Sequence, residues 1–282
     1  MIKIFADSTC DLSTELLEKY NISIIPLYVI FDSKTYKDGV DITADMFFKL
    51  VEENNSLPKT SMPSPTDYYE AFKPYVEAGI QVLYISISSY LSGAASSANI
   101  VAHEFKEGMV FIHDSKNLST GIGLQVIKAA EYVSMGLAMN EILIKLDEIS
   151  KNVKTAFVID TLDYLYKGGR CTSIESLIGG ILKIKPIVKV VDGKMVIGQK
   201  SRGKLEKAYK IMLQEAYEDK NNIESKRIMV THAQGLDEAN FLKNELSKAM
   251  PDKEIFITDA GCVISSHCGK KTVGILYIKK HQ

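Results

Sequence analysis

The chain has 282 residues, 34 basic and 35 acidic side chains, 46% hydrophobic and 24% charged residues: the profile of an ordinary folded protein, which excludes a disordered or fibrous class. Near-balanced charge leaves no strong field to hold nucleic acid or an anionic membrane, so no nucleic-acid partner and at most transient membrane contact are expected. Cys10, Cys171, Cys262 and Cys268 are too sparse for a disulfide framework and too scattered for a metal site. With no secretory pattern over residues 1–7 and no uncharged run near ~20 residues, the expected location is a reducing cytoplasm.

Strand-like apolar runs at 2–6, 22–31, 82–87 and 109–112 alternate with helical periods at 15–20, 67–78 and 123–134. That alternation predicts a mostly parallel sheet covered by helices. A helix over 140–151, with Asn140 as N-cap and Glu141 in its first turn, leads into a second set of strands at 155–160, 187–191, 195–198, 227–232, 255–259 and 273–279. Asp192-Gly193 joins two of these as a two-residue hairpin, so the second sheet is mixed. The expected fold is α/β and two-lobed. An N-terminal domain over 1–152 has a parallel sheet sandwiched by helices; a C-terminal domain over 153–282 has a mixed six-stranded sheet, and the cleft between them is the natural ligand site.

Residues 59–67 are proline-rich and read as a stiff loop that presents hydroxyls. Ser64 as N-cap, Pro65 at the first helical position and Asp67 in the first turn start the next helix, which accounts for Ser64. Thr60 and Ser61 precede that cap and are the better binding candidates; local side-chain turns are the plain alternative. After the strand at 82–87 comes Ser88-Ser89-Tyr90-Leu91-Ser92-Gly93 and a helix start. In an open parallel sheet this turn lies at a strand's carboxyl end, where helix N–H groups favour an anion; Ser92 adds a directed donor and Gly93 admits close approach, a plain helix cap being the alternative. The Asp7-Ser8-Thr9 and Asp114-Ser115 to Ser119-Thr120-Gly121 turns share the arrangement, so one crevice is expected. Gly121-Ile122-Gly123 lacks the third glycine of a dinucleotide fingerprint, Val126 standing there, and no cofactor is expected.

In the second half, Tyr166-Lys167-Gly168-Gly169-Arg170 and Gln199-Lys200-Ser201-Arg202-Gly203-Lys204 offer cations for a phosphate, with Arg170 and Arg202 as planar forks and the lysines as a solvated face. His267, among small residues before the last strand, can donate to an oxyanion or be a satisfied structural group.

Thr60-Ser61-Met62-Pro63-Ser64-Pro65, Ser88 through Gly93, Tyr166 through Arg170 and the early Asp7-Ser8-Thr9 resemble the signatures of the DegV family, in the family's order and over essentially the whole chain. The resemblance implies two α/β domains enclosing a long-chain fatty acid, its carboxylate on Thr60 and Ser92 with Ser61 and Gly93 beside them and His267 near the head group. It also implies a lipid-binding subunit without catalytic residues of its own, which presents the carboxylate to a separate ATP-dependent fatty acid kinase that makes an acyl phosphate for phospholipid synthesis. Arg170 and Arg202 would then face the phosphoryl group or the kinase. The chain departs from the family at Met62 (glutamine), Ala94-Ala95 (Thr-Tyr) and Lys270-Lys271 (Pro-Gly). Leu91, Leu118, Ile122 and Ile178 are the expected tunnel residues by proximity.

The competing reading is a serine hydrolase or acyltransferase with Ser92 as nucleophile, His267 as base and Asp7 as acid, although Ser92 lacks the flanking glycines of a nucleophile elbow. A small-molecule kinase is a third, but the chain has no G-x-x-x-x-G-K-[ST] loop.

Overall fold

A computed structural model describes residues 1–32, 34–171, 184–224 and 226–280. Strands β1 (Ile2–Asp7), β2 (Ile22–Ile25), β6 (Gln81–Ser86) and β7 (Val110–Asp114) form an all-parallel sheet in the order β2-β1-β6-β7. Its two inner strands are apolar almost throughout because helices cover both faces. Phe5, Val82 and Tyr84 point to helices α3 (Pro65–Glu77) and α4 (Ala94–Ala102), while Ile4, Ala6, Leu83 and Ile85 join the opposite core with α5 (Thr120–Ser134) and α6 (Met139–Ser150). The period of two along each strand thus sorts the side chains into two cores. Helix α1 (Thr14–Lys19) links β1 to β2.

The apolar run expected as one strand over 22–31 is two. β2 stops before Pro26, whose ring fixes φ and removes an N–H, and the chain restarts as β3 (Tyr28–Phe31) in a different sheet. β3 is the centre of a three-stranded antiparallel sheet with β4 (Lys34–Lys37) and β5 (Lys59–Ser61), and α2 (Ala44–Asn54) lies between β4 and β5. The stiff loop expected over 59–67 is therefore partly a strand: Thr60 pairs with Val29 and Ser61 with Tyr28. Ser64 caps α3 as expected, in a reciprocal box with Asp67, whose carboxylate also accepts from Tyr28 Oη at 2.9 Å. At α6 the N-cap is Ala138, not Asn140; Ala138 has no side-chain acceptor, and the Glu141 carboxylate instead accepts its N–H at 2.8 Å.

The second sheet runs β10-β9-β8-β13-β11-β12, with β8 (Val153–Val158), β9 (Ile184–Val191), β10 (Lys194–Arg202), β11 (Arg227–Ala233), β12 (Glu254–Asp259) and β13 (Thr272–Ile278). Only β11 and β12 pair in parallel; the rest are antiparallel, and Asp192 and Gly193 take positive φ in the hairpin between β9 and β10. Helices α8 (Leu205–Glu218) and α9 (Leu236–Ala249) cover its outer face over Val158, Ile187, Val230, Val273 and Ile275. The inner face, carrying Phe157, Val188, Met229 and Leu276, packs into the same core as the first sheet. Short helices α7 (Asp163–Gly168) and α10 (Cys262–Cys268) stand at its edge of contact with the N-terminal half.

Leu83, fully buried at the centre of the parallel sheet, measures how much this joint core stabilises. Leu83→Ala is expected to cost about 2–5 kcal/mol, measured by urea unfolding. A loss under about 1 kcal/mol would place that strand outside the cooperative core.

Candidate ligand cavity and its polar end

Two aspartates from the start of the chain hold the start of α10. Asp11 follows a single 3-10 turn at Ser8–Cys10 and adopts the left-handed conformation, and its Oδ1 accepts the Gly261 N–H at 2.8 Å. Asp38 Oδ1 accepts the Cys262 N–H at 2.8 Å and its Oδ2 the Val263 N–H at 3.4 Å, with Ser8 Oγ donating to Oδ2 at 2.9 Å. Helix N-termini leave these donors orphaned, and carboxylates suit them electrostatically. Gly261 makes the fit possible, since a Cβ there would lie 3.1 Å from Asp38 Oδ2 and 3.3 Å from Asp11 Oδ1. Both carboxylates are buried, no ion pair reaches either among the described residues, and desolvation pushes both pKa values up against the lowering effect of their hydrogen bonds.

One and a half turns along α10, His267 Nε2 lies 3.0 Å from Thr60 Oγ1, a contact spanning 207 residues of chain. Among the described residues its Nδ1 is sealed without a hydrogen-bond partner, and it rests on Gly168 of α7, where a Cβ would come within 2.2 Å of it. Burial, and then the charge of Arg170, lower the His267 pKa to about 4. The ring is therefore neutral near pH 7.

This pair lines a cavity between the two sheets, with about 880 Å³ of space between atoms, its open mouth included. Leu27, Ile87, Leu91 and Leu118 line it from the N-terminal half, Thr155, Phe157, Thr231, Gly274 and Leu276 from the inner face of the six-stranded sheet, and Leu165, Val263 and Ile264 from the short helices. Thr60, Ser61, Ser92, Arg170 and His267 all line it. Thr60 and Ser92 are half-buried, Ser61 is exposed, and Ser92 Oγ accepts the Ala94 N–H at 3.3 Å at the start of α4. Gly93, the exposed N-cap of α4, is not in the lining; a Cβ on it would meet Met62 Sδ at 2.9 Å, so the Met62 thioether lies over this helix start. Arg170 Nη1 donates to the Gly168 carbonyl at 2.7 Å, which turns its cation back over α7. Arg202 is exposed on the edge strand β10 and is not in the lining.

Of the expected tunnel residues, Leu91 and Leu118 line the cavity, whereas Ile122 is wholly buried in the core beside it and Ile178 lies outside the described residues. The crevice of three polar turns is built from two. Ser92 and Ser119 reach it, but Asp7 is buried beneath, accepting from the Ile87 N–H at 2.7 Å and from Thr9 and Tyr84, its pKa raised to about 6 by burial. Asp7, His267 and Ser92 form no relay: His267 offers Nε2 to Thr60, and its Nδ1 has no hydrogen-bond partner among the described residues. Gly121, set aside as a dinucleotide glycine, makes room for Asn117 Oδ1, which a Cβ would meet at 2.1 Å. Asp11, Asp38, Thr155, Thr231 and Gly274 were not legible as site residues, because each acts through a partner on a distant element.

Residues 1–280 match the family model described as "Uncharacterised protein, DegV family". A DegV domain-containing protein of Clostridium perfringens is 32% identical over 280 residues, 99% of each chain. Among solved structures, a fatty-acid-binding DegV family protein from Thermus thermophilus superposes with a TM-score of 0.91 at 30% identity, and a stearic-acid-binding protein from Eubacterium ventriosum with 0.89 at 30%, each match covering 99% of both chains.

His267 gives a pH signature. Its pKa falls from 6.5 in the unfolded chain to about 4 in the fold, so between those values the unfolded state binds the extra proton and folding weakens as pH drops. Relative to His267→Gln, the wild type should lose on the order of 2–3 kcal/mol of stability between pH 6.5 and pH 4, with contributions of the buried aspartates cancelling in the difference. Parallel stability curves for the two proteins would contradict the sealed, neutral ring.

Proposed function

The chain belongs to the DegV family, and from that premise together with the cavity we propose that it binds a long-chain fatty acid, tail inward, with the carboxylate at Thr60, Ser92 and His267. The observation that carries this is the Thr60–His267 pair in the wall of a largely apolar cavity. A neutral imidazole with its proton on Nε2 donates to Thr60 Oγ1, which frees the threonine proton for a carboxylate oxygen and leaves a lone pair, not an N–H, sealed against Gly168. Ser92 Oγ already accepts from Ala94, so its own proton is available to the same anion. Ser61 and Gly93 border the site and contribute shape at its rim.

Tail and head divide the work. Burial gains about 0.8 kcal/mol per CH₂, so a long chain contributes on the order of 10 kcal/mol gross, whereas each neutral hydroxyl bond nets ~1 kcal/mol. Affinity comes from the cavity wall and position from the hydroxyls. The protein performs no chemistry of its own in this reading: it presents the carboxylate to a separate ATP-dependent kinase in the cytoplasm, with Arg170 at the cavity and Arg202 on the neighbouring edge strand as the cations that meet the phosphoryl group or the kinase.

Native mass spectrometry of protein purified without added lipid, followed by extraction, tests the binding. One fatty acid per chain is expected. Protein that is empty and takes up no added palmitic or stearic acid would overturn the proposal. For the kinase step, Arg170→Ala should leave fatty-acid binding within about 3-fold while cutting acyl-phosphate formation by a partner kinase at least ~10-fold, a loss of the size expected for one charge-assisted contact; undiminished acyl phosphate would remove Arg170 from that role.

A further inference from the structure

The wall of the cavity is not uniformly apolar, and its oxygens have a common bias. Along β13 the inward residues are Thr272, Gly274 and Leu276; opposite them stand Ala233 and Thr231 on β11, and Phe157 and Thr155 on β8. Thr272 lies beside the head-group helix, its Oγ1 donating to the Cys268 carbonyl at 2.8 Å. Four residues on, at ~3.3 Å per residue, the Thr155–Leu276 row lies ~13 Å deeper along the sheet. Thr155 therefore flanks an acyl chain rather than its carboxylate, while Thr272 lies at the level of the head-group helix.

Thr155 Oγ1 lies 2.7 Å from Asn117 Oδ1, and that oxygen also takes the Leu118 backbone N–H at 3.1 Å. A backbone N–H identifies Oδ1 as an acceptor, so Thr155 must donate. Thr272 likewise donates to a carbonyl. Each hydroxyl has one proton and two lone pairs, so both have given away their only proton and can offer the cavity nothing but an acceptor. Thr231, between Thr120 Oγ1 at 2.6 Å and Thr258 Oγ1 at 2.9 Å, accepts from at least one of them. Gly274 has no side chain between Phe157 and Thr231, where a Cβ would come within 3.0 Å of Phe157 Cβ, and this leaves the floor open at the level of these oxygens.

We propose that the cavity accommodates a long-chain acid bearing a hydroxyl on its chain, the ligand O–H donating to Thr155 or Thr272, and disfavours the corresponding oxo acid. This rests on the fatty-acid reading above. A chain hydroxyl finds the acceptor it needs, whereas a chain carbonyl is itself an acceptor and meets a lone pair, leaving two buried acceptors facing each other without a proton.

The test uses the full chain, stripped of lipid, and displacement of a fluorescent fatty acid by stearic acid and by hydroxystearic and oxostearic acids with the oxygen moved stepwise along the chain. At the best-bound position, hydroxystearic acid should bind within about 3-fold of stearic acid or tighter, and the oxo acid of the same position at least ~10-fold more weakly. Thr155→Val or Thr272→Val should close that gap and Thr→Ser at the same position keep it; because the readout is the hydroxy-to-oxo ratio within one protein, a general loss of affinity cancels. Hydroxy acids ~10-fold weaker than stearic acid at every position, oxo acids equal to hydroxy acids, or a gap that survives both valine variants would each overturn the proposal. Failure of stearic acid to bind would overturn the fatty-acid reading itself, whereas stearic acid binding without the gap overturns this inference alone.

Discussion

The start of α10 is where the two halves of this molecule are joined, and the rest of the cavity depends on that joint. Three backbone N–H groups from Gly261, Cys262 and Val263 end on the carboxylates of Asp11 and Asp38, more than 220 residues away in sequence. Burying two carboxylates without a cation is costly, and what offsets it is the set of donors aimed at them: helix N–H groups together with the hydroxyls of Ser8 and Ser119. Because the acceptors come from the turn after β1 and the bridge after β4, the helix cannot shift without opening the N-terminal half. His267 is thereby held at a fixed distance from Thr60.

The same joint explains why the cavity lies where it does. The six-stranded sheet turns one face to α8 and α9 and the other to the N-terminal half, and where α10 and α7 prop the halves apart the inner face is left partly unfilled. Small residues at Gly274 and Ala233 keep that space open, while Thr155 and Thr231 tie across it to Asn117 and Thr120. In the proposed reading the head-group site is neutral in its own side chains, His267 included, and would orient an anion through hydroxyl protons, with Arg170 as a cation in the lining.

Much of the architecture was legible in the sequence because periodicity and turn chemistry are local. All six strands of the second sheet, the Asp192-Gly193 hairpin and the Ser64 cap follow from residues within a few positions of each other. Thr60, Ser92 and His267 stood out as polar residues that local turns, a helix cap or a structural role could also explain, and the structure brings all three to one cavity. What sequence reading misplaced was set by distant partners or by a single breaker. Pro26 divides one apolar run into strands of two sheets, β5 exists only because Thr60 and Ser61 find Tyr28 and Val29, and Ala138 stands at the N-cap with only the return half of a capping box, the Glu141 carboxylate accepting its N–H. Asp11 and Asp38 carry no motif at all; their function is defined by α10.

The most direct test of the proposed head-group site is the ¹³C resonance of a carboxyl-labelled palmitic acid bound to the protein, followed with pH and by variant. A carboxylate seated on Thr60 and Ser92 should give one sharp bound signal that does not titrate with the free acid and that moves in Thr60→Ala but not in Lys200→Ala, a change on the exposed edge strand. A signal that titrates like free fatty acid, or that is indifferent to Thr60→Ala, would contradict the carboxylate site at the Thr60–His267 pair.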